Sequence, residues 1–415
     1  MLAVIHPSLC GFGGKDGYES ITFFPGSPLS RKFAQKKTFP LKEPAGEPAG
    51  LYVHVPFCRT RCPYCDFYSQ TSLERIQDWI RSLQREAEHY SNSFQAFDTL
   101  YLGGGTPSLL SPQQLADLFT VLRTAFSFAP FAEITLEANP DDITREKLTA
   151  WRDLGVNRMS VGVQSFRQEE IEFLQRRHTA QGAKRALETI GAAGFDNLSV
   201  DLIYGLPGQT LSQWLLSLKL ALQFRPEHLS CYQLTVEEGT PFGGLRERGM
   251  LNLPDEDAQG RFFLTTSRFL EKEGYLHYEI SNFARSEALI SRHNSKYWKH
   301  VDYLGLGPGA HSFFQGKRWW NVGSVQRYCA FLNEGKLPVE GEEWLTEDQL
   351  LLETLYFGFR TKRGMDLPLL EGDPHMKSCA AELEKSGLAL RRDGRLIPTR
   401  RGFLLADSLP LRMVR

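Results

Sequence analysis

The stretch Leu51-Tyr52-Val53-His54-Val55-Pro56-Phe57-Cys58-Arg59-Thr60-Arg61-Cys62-Pro63-Tyr64-Cys65 carries both a fold signal and a chemical one. Residues 51–55 form a short apolar-rich run suited to a strand, and Pro56 ends it. Three cysteines follow within eight residues, spaced CxxxCxxC. In a barrel of alternating strands and helices the loops after the strands carry the chemistry, and this is where the cysteines fall.

Outward from that stretch, strand-like runs recur at 99–102, 134–137, 158–163, 197–203 and 229–235. Helical periodicity fills the gaps at 73–90, 112–126, 143–153, 168–192 and 210–224. About six β-α units at roughly 30–40-residue spacing predict an α/β fold with a parallel sheet, closed partway as a partial (β/α)6 barrel. The alternation weakens past residue 245. Residues 254–273 read as one amphipathic helix, and 275–340 are rich in aromatics and glycine. From 346 a new pattern begins, with helices at 347–359 and 380–386 and a hairpin turning at Asp393-Gly394. The expected organisation is therefore a loosely ordered extension at 1–50, a barrel at 51–245, an extension at 246–345 and a winged-helix-like α+β domain at 346–415.

Composition narrows the class. The 415 residues carry 48 Lys and Arg against 49 Asp and Glu, a net charge of −1, which excludes a polycationic binder acting by bulk charge. The basic cluster Arg391, Arg392, Arg395, Arg400 and Arg401 is short and interrupted by Asp393, so no DNA or RNA partner is expected. The tail reads instead as a cap or docking surface. Seven cysteines cannot pair completely, and Cys10, Cys231, Cys329 and Cys379 stand alone. No apolar run reaches the roughly 18–20 residues needed to cross a bilayer, and no secretory signal pattern is present. The expected setting is cytoplasmic, with reduced thiols free to ligate metal. The expectation leaves room for peripheral membrane contact and for a homodimer.

Three clustered thiols lack the second knuckle of a structural zinc site, although zinc stays open on spacing alone. A cubane iron–sulfur cluster takes four cysteines; with three, one iron keeps an open position. CxxxCxxC after a first strand, with Tyr64 before the last cysteine, resembles the radical S-adenosylmethionine (SAM) superfamily. The run from Tyr52 to Tyr68 is closer still to the oxygen-independent coproporphyrinogen III oxidase group and its HemW-type heme chaperone branch. The resemblance covers roughly residues 51–405. It implies a [4Fe-4S] cluster on Cys58, Cys62 and Cys65, with SAM on its open iron.

The resemblance also assigns a cofactor shell. Gly104, Gly105 and Thr106 in Gly103-Gly104-Gly105-Thr106-Pro107 receive the methionine moiety, whereas the glycines by themselves read as a tight turn. Glu137, Gln164, Arg176 and Asp201 lie at or near successive strand ends, where an arginine can bind a carboxylate and an aspartate can accept from ribose. Tyr52, Tyr64 and Phe67 flank the cluster.

Two functions fit this scaffold. One is oxidative decarboxylation of coproporphyrinogen III; the other is heme binding and transfer to acceptor proteins. The oxidases extend the motif to CxxxCxxCxC, and here Phe67 stands at the last cysteine. His293-Asn294-Ser295-Lys296-Tyr297-Trp298 matches the HNxxYW of the chaperone branch, which implies a heme contact through His293, Tyr297 and Trp298; His and Tyr are both known axial ligands. Read alone, HNxxYW is a loop with packed aromatics. His311 reads as a turn histidine or a second ligand. Another radical modification of a porphyrin ring is a further option, and an electron donor is needed wherever SAM is cleaved.

Overall fold

A computed structural model describes residues 46–94 and 96–414. Most of the extension expected at 1–50 lies outside the described residues. The described chain falls into two compact units. One contains 46–253 and 284–344, the other 254–283 and 345–414.

The first unit is built on six parallel strands in sequential order: β1 (Ala49–Val55), β2 (Phe97–Gly104), β3 (Phe128–Ala138), β4 (Arg158–Gln164), β5 (Leu198–Tyr204) and β6 (His228–Gln233). Helices α1 (Ile76–Tyr90), α2 (Pro112–Ala125), α3 (Arg145–Asp153), α4 (Gln168–Phe173), α5 (Ala180–Ala192) and α6 (Leu211–Leu222) connect them. Ser111, Thr144, Thr179 and Thr210 each cap a helix by accepting a backbone N–H, and Gln114 and Gln213 complete capping boxes. Each cap contributes about 1 kcal/mol. On the far side of β1 the sheet continues through Tyr303–Leu306, parallel to β1, and then antiparallel strands His311–Phe314, Lys317–Asn321 and Val339–Trp344. The aromatic- and glycine-rich segment thus supplies a sheet extension.

The strands alternate with period two, and the register shows what each face carries. On one face Leu51, Leu100 and Ile134 are neighbours, as are Leu136, Met159 and Leu198. Trp79, Leu83, Leu118, Leu122, Trp151, Leu187 and Trp214 on the helices are buried with them. On the other face Tyr52, Tyr101, Thr135 and Arg158 are consecutive partners, followed by Glu137, Ser160, Ser199 and His228. Thr99, Glu133, Thr135, Arg158, Ser160, Ser199, Asp201, His228 and Ser230 are all buried. Barrel interiors are ordinarily packed with branched apolar side chains. A polar interior of this kind must be satisfied by partners, and it suits a polar ligand.

One buried carboxylate outside that face ties the sheet extension to α1. Glu86 accepts from the Gly307 N–H (2.9 Å), from Asn321 Nδ2 (2.6 Å) and from the Tyr328 hydroxyl (2.5 Å). Burial pushes its carboxyl up to about 7, although these three donors pull the other way. A folded pKa above the unfolded value means ionisation opposes folding. The stability is complete near pH 4.5 and is lost as pH rises through 7, by about 3 kcal/mol for the whole shift. The urea midpoint of the wild type is expected to fall between pH 5 and 7.5. Glu86→Gln, which keeps an acceptor for Gly307, is expected to flatten that slope.

The second unit does not follow the expected boundaries. The helix Glu256–Lys272, expected within a 246–345 extension, belongs with the C-terminal segment. There, helices Glu347–Arg360 and Pro374–Lys385 pack Leu351, Leu355, Phe359, Met376 and Leu383 into one core with Leu396 and Met413. The hairpin of Ala389–Arg392 and Arg395–Pro398 turns at Asp393 and Gly394, both with positive φ as a type I′ turn requires. Helix, helix and hairpin give the winged-helix-like arrangement. Arg391, Arg392, Arg395 and Arg400 each sit against a carboxylate of the same unit.

Candidate functional site

The C-terminal ends of β1 to β5 open onto a cleft of about 850 Å³ that includes open solvent. Cys58, Cys62 and Cys65 line it together with Tyr64, Gly104, Gly105, Thr106, Glu137, Gln164, Arg176 and Asp201. Side chains predicted from five separate segments of sequence therefore meet around one space.

The cysteine loop is anchored at both ends. Cys58 N–H donates to Gln70 O (2.9 Å), and Cys65 N–H donates to Cys62 O (3.1 Å). Thr106 Oγ1 donates to Cys58 Sγ at 3.4 Å and Arg176 Nη1 to Cys62 Sγ at 3.3 Å. Burial pushes the Cys65 thiol up to about 11, with the neighbouring cysteines adding in the same direction, and burial also raises Cys58. Left to themselves these thiols stay protonated; a bound cationic centre is what makes such sulfurs thiolates. Among the described residues no three His, Cys, Asp or Glu side chains converge as around a single metal ion. A cubane cluster places each cysteine on a different iron.

The glycine loop packs under the cysteine loop. Gly105 N–H donates to Val55 O (2.9 Å) and Thr106 N–H to Phe57 O (2.8 Å). Gly104 has φ +103°, and a Cβ there would lie 2.5 Å from the His54 ring, so glycine is required on both counts. His54 is held by Tyr52, whose hydroxyl donates to Nδ1 (3.0 Å), while Nε2–H donates to Tyr68 O (2.8 Å). Burial lowers its pKa to about 4, which keeps the imidazole neutral. Glu137 accepts from Tyr101 OH (2.8 Å) and from the Gly104 N–H (3.2 Å). Asp201 accepts from Ser160 Oγ (3.0 Å). Gln164 takes φ +65°, uncommon for a non-glycine residue and frequent at functional sites. A Cβ on Gly162 would lie 2.9 Å from Gln164 Nε2 and 3.2 Å from Arg176 Nη2. Arg176 Nε and Asn139 Oδ1 are buried at this cleft without a partner among the described residues. The donor set fits a cluster with an amino-acid-bearing cofactor.

Two predicted neighbours stand apart. Tyr52 is buried in the barrel interior and does not line the cleft, because strand alternation turns it toward Tyr101 below the loop. Phe67 also lies outside the lining, with its backbone N–H bonded to the Cys65 sulfur. Sequence reading missed Ser69, Asn139, Ser160, Arg59, Arg61 and Arg177, all of which line the cleft. Period-two alternation read in register would have found Ser160, one step across the sheet from Glu137.

The HNxxYW motif forms the helix Arg292–Trp298 at the opposite end of the strands, against Gly50, Thr99 and Glu133. Val55 is five residues along β1 from Gly50, about 17 Å at 3.3 Å per residue. The two predicted sites are therefore not brought together. His293 is fully buried. Its Nδ1 bonds Thr99 Oγ1 (2.8 Å) and its Nε2 bonds Tyr297 OH (2.8 Å), and its ring stacks on Tyr101. Burial first, then Lys296 and Arg158, holds the imidazole neutral. Both ring nitrogens of His293, the expected iron ligand, are thus hydrogen-bonded within the chain. Tyr297 and Trp298 are half-buried. His311 begins an antiparallel strand and stacks on Trp320.

A partial parallel barrel with CxxxCxxC at its first strand end and a glycine loop at its second defines a radical SAM protein. A profile described as the Radical SAM superfamily matches residues 52–221. The "Heme chaperone HemW" of Mycobacterium tuberculosis is 37% identical over 370 residues, covering 88% of this chain and 94% of that protein. The protein of the same name from Bacillus subtilis is 33% identical over 368 residues, covering 86% and 97%. Among solved structures, coproporphyrinogen III oxidase (HemN) from Escherichia coli, described as a radical SAM enzyme, superposes with a TM-score of 0.76 at 25% identity, covering 88% of this chain and 90% of the other. The chain belongs to the HemW branch of the radical SAM superfamily. No helix among the described residues is long and apolar enough to cross a membrane.

Proposed function

We propose that this protein binds heme and hands it to acceptor proteins, and that it carries a [4Fe-4S] cluster and SAM in the barrel cleft. The observation that carries heme transfer is kinship along nearly the whole chain with proteins named heme chaperones. Phe67 supports it, standing where the oxidases have a further cysteine. The cleft supports the cofactors. Cys58, Cys62 and Cys65 would hold the cluster. Gly104, Gly105 and Thr106 would receive the methionine end of SAM, Arg176 its carboxylate, and Asp201 its ribose, with Glu137, Gln164 and Tyr64 closing the shell. When bound, the pair supplies one-electron reduction of a sulfonium, and an electron donor is then required.

The fold shared with a coproporphyrinogen III oxidase favours one second reading, oxidative decarboxylation of that porphyrinogen. One set of anaerobic samples tests both. After reconstitution, heme titration is expected to reach one equivalent per chain, and coproporphyrinogen is expected to pass unchanged. Decarboxylation at enzymatic rates without a stable heme complex would reverse the assignment. Transfer is checked by mixing the heme-loaded chain with an apo-heme protein and following its absorbance.

A further inference from the structure

Near the start of β3 the register with β2 jumps. Phe97 pairs with Phe128 and Thr99 with Glu133, so β3 advances five residues against two on its neighbour. The three extra residues form a bulge, a feature that often marks a site. Phe131 at its crest is 89% exposed, the most exposed large hydrophobic side chain among the described residues. The crest is pinned. Arg292 Nη1 donates to Phe131 O (2.8 Å) and Asn157 Nδ2 to Ala132 O (2.8 Å). The bulge walls a groove of about 370 Å³, floored by Leu100, Leu122, Phe128 and Ile134. Ligand sites typically enclose about 300–1,000 Å³.

The charge of the rim selects the occupant. Arg123 lies over the Phe119 ring, 5.3 Å from its centroid. It gives Nη2 to Leu154 O (2.6 Å), and its side chain is exposed. Its remaining N–H groups can meet a carboxylate. An apolar bed with one guanidinium at its edge complements a flat apolar body that carries carboxylates on one side. The groove adjoins the HNxxYW helix through Arg292, while His293 itself is sealed.

We propose that heme docks in this groove, its ring face on Phe131 and Phe128 and a propionate on Arg123. This rests on the heme-carriage reading above. No histidine, cysteine, methionine or tyrosine lines the groove, so the protein supplies no iron ligand there. Heme is held by its ring and edge, and its iron is left for the acceptor's ligand.

The test is heme titration of the full chain by absorbance and fluorescence quenching, with iron-free protoporphyrin IX as competitor. Phe131→Asp is expected to weaken heme at least tenfold, and Arg123→Glu severalfold. Phe131 is almost wholly in solvent, so its replacement leaves the core intact. Protoporphyrin IX is expected to compete about as well as heme, since the iron is not held. Wild-type affinity in both variants, or a competitor that fails because an iron bond is required, would overturn the groove while leaving heme carriage standing. A wild-type chain that binds no heme would remove the underlying reading and the groove with it. Displacement by a long-chain fatty acid but not by protoporphyrin would assign the groove to lipid and overturn the proposal.

Discussion

Cys62→Ser is expected to reduce reconstituted iron and acid-labile sulfide to background, with loss of the broad visible absorbance of the cluster. Three sulfurs are the whole ligand set this loop offers, and Cys62 is the one Arg176 reaches at 3.3 Å. A serine hydroxyl is too weak an acid to replace a thiolate, and two remaining cysteines cannot hold four irons. Cys329→Ser and Cys379→Ser are expected to keep a full cluster, since neither lines the cleft. The same Cys62→Ser sample is expected to bind heme as the wild type does. The cleft and the groove share no lining residue: along β2, Leu100 of the groove is four residues, about 13 Å, from Gly104 of the cleft. Parallel loss of cluster and heme would show that one site serves both, and the groove assignment would then fall.

The sequence made the frame of this site legible and left its lining partly hidden. A strand followed by CxxxCxxC, β-α alternation and Ser or Thr caps are local signals. Each describes a few residues whose geometry is decided by neighbours in sequence. The convergence of Glu137, Gln164, Arg176 and Asp201 was legible because parallel strands bring all their C-terminal ends to one rim. What stayed hidden depends on pairing across the sheet. Tyr52 and His54 sit in an apolar-looking run, yet register turns both to a polar interior beside Tyr101 and Gly103. His293 shows the same limit: its helix has only seven residues, too few for a buried face to show as periodicity. The helix Glu256–Lys272 joins the C-terminal unit through contacts with residues more than a hundred positions away, such as Leu404 against Gly260, which no local pattern encodes.

Asp98→Ala is expected to lower stability by about 3–5 kcal/mol, the cost of leaving a buried charge unpaired. Lys296, on the HNxxYW helix, has a side chain only 3% exposed. Its ammonium meets Asp98 Oδ1 at 2.7 Å and donates to Pro48 O at 2.6 Å. Removing the carboxylate leaves that ammonium with one carbonyl. Arg292 also loses a partner, but its side chain is 45% exposed and water replaces the contact. A double variant separates a lost charge pair from simple damage to β2. Asp98→Ala/Lys296→Met is expected to recover most of the urea midpoint, because an unbranched apolar chain fills the same channel and carries no charge. The exposed pair Lys336–Glu334 provides the contrast: solvent screens it, and Glu334→Ala is expected to leave the midpoint unchanged. Equal losses in the single and double variants would mean that Asp98 matters for packing alone. In that case, the helix that seals His293 would be held by its aromatic stack and by Glu133.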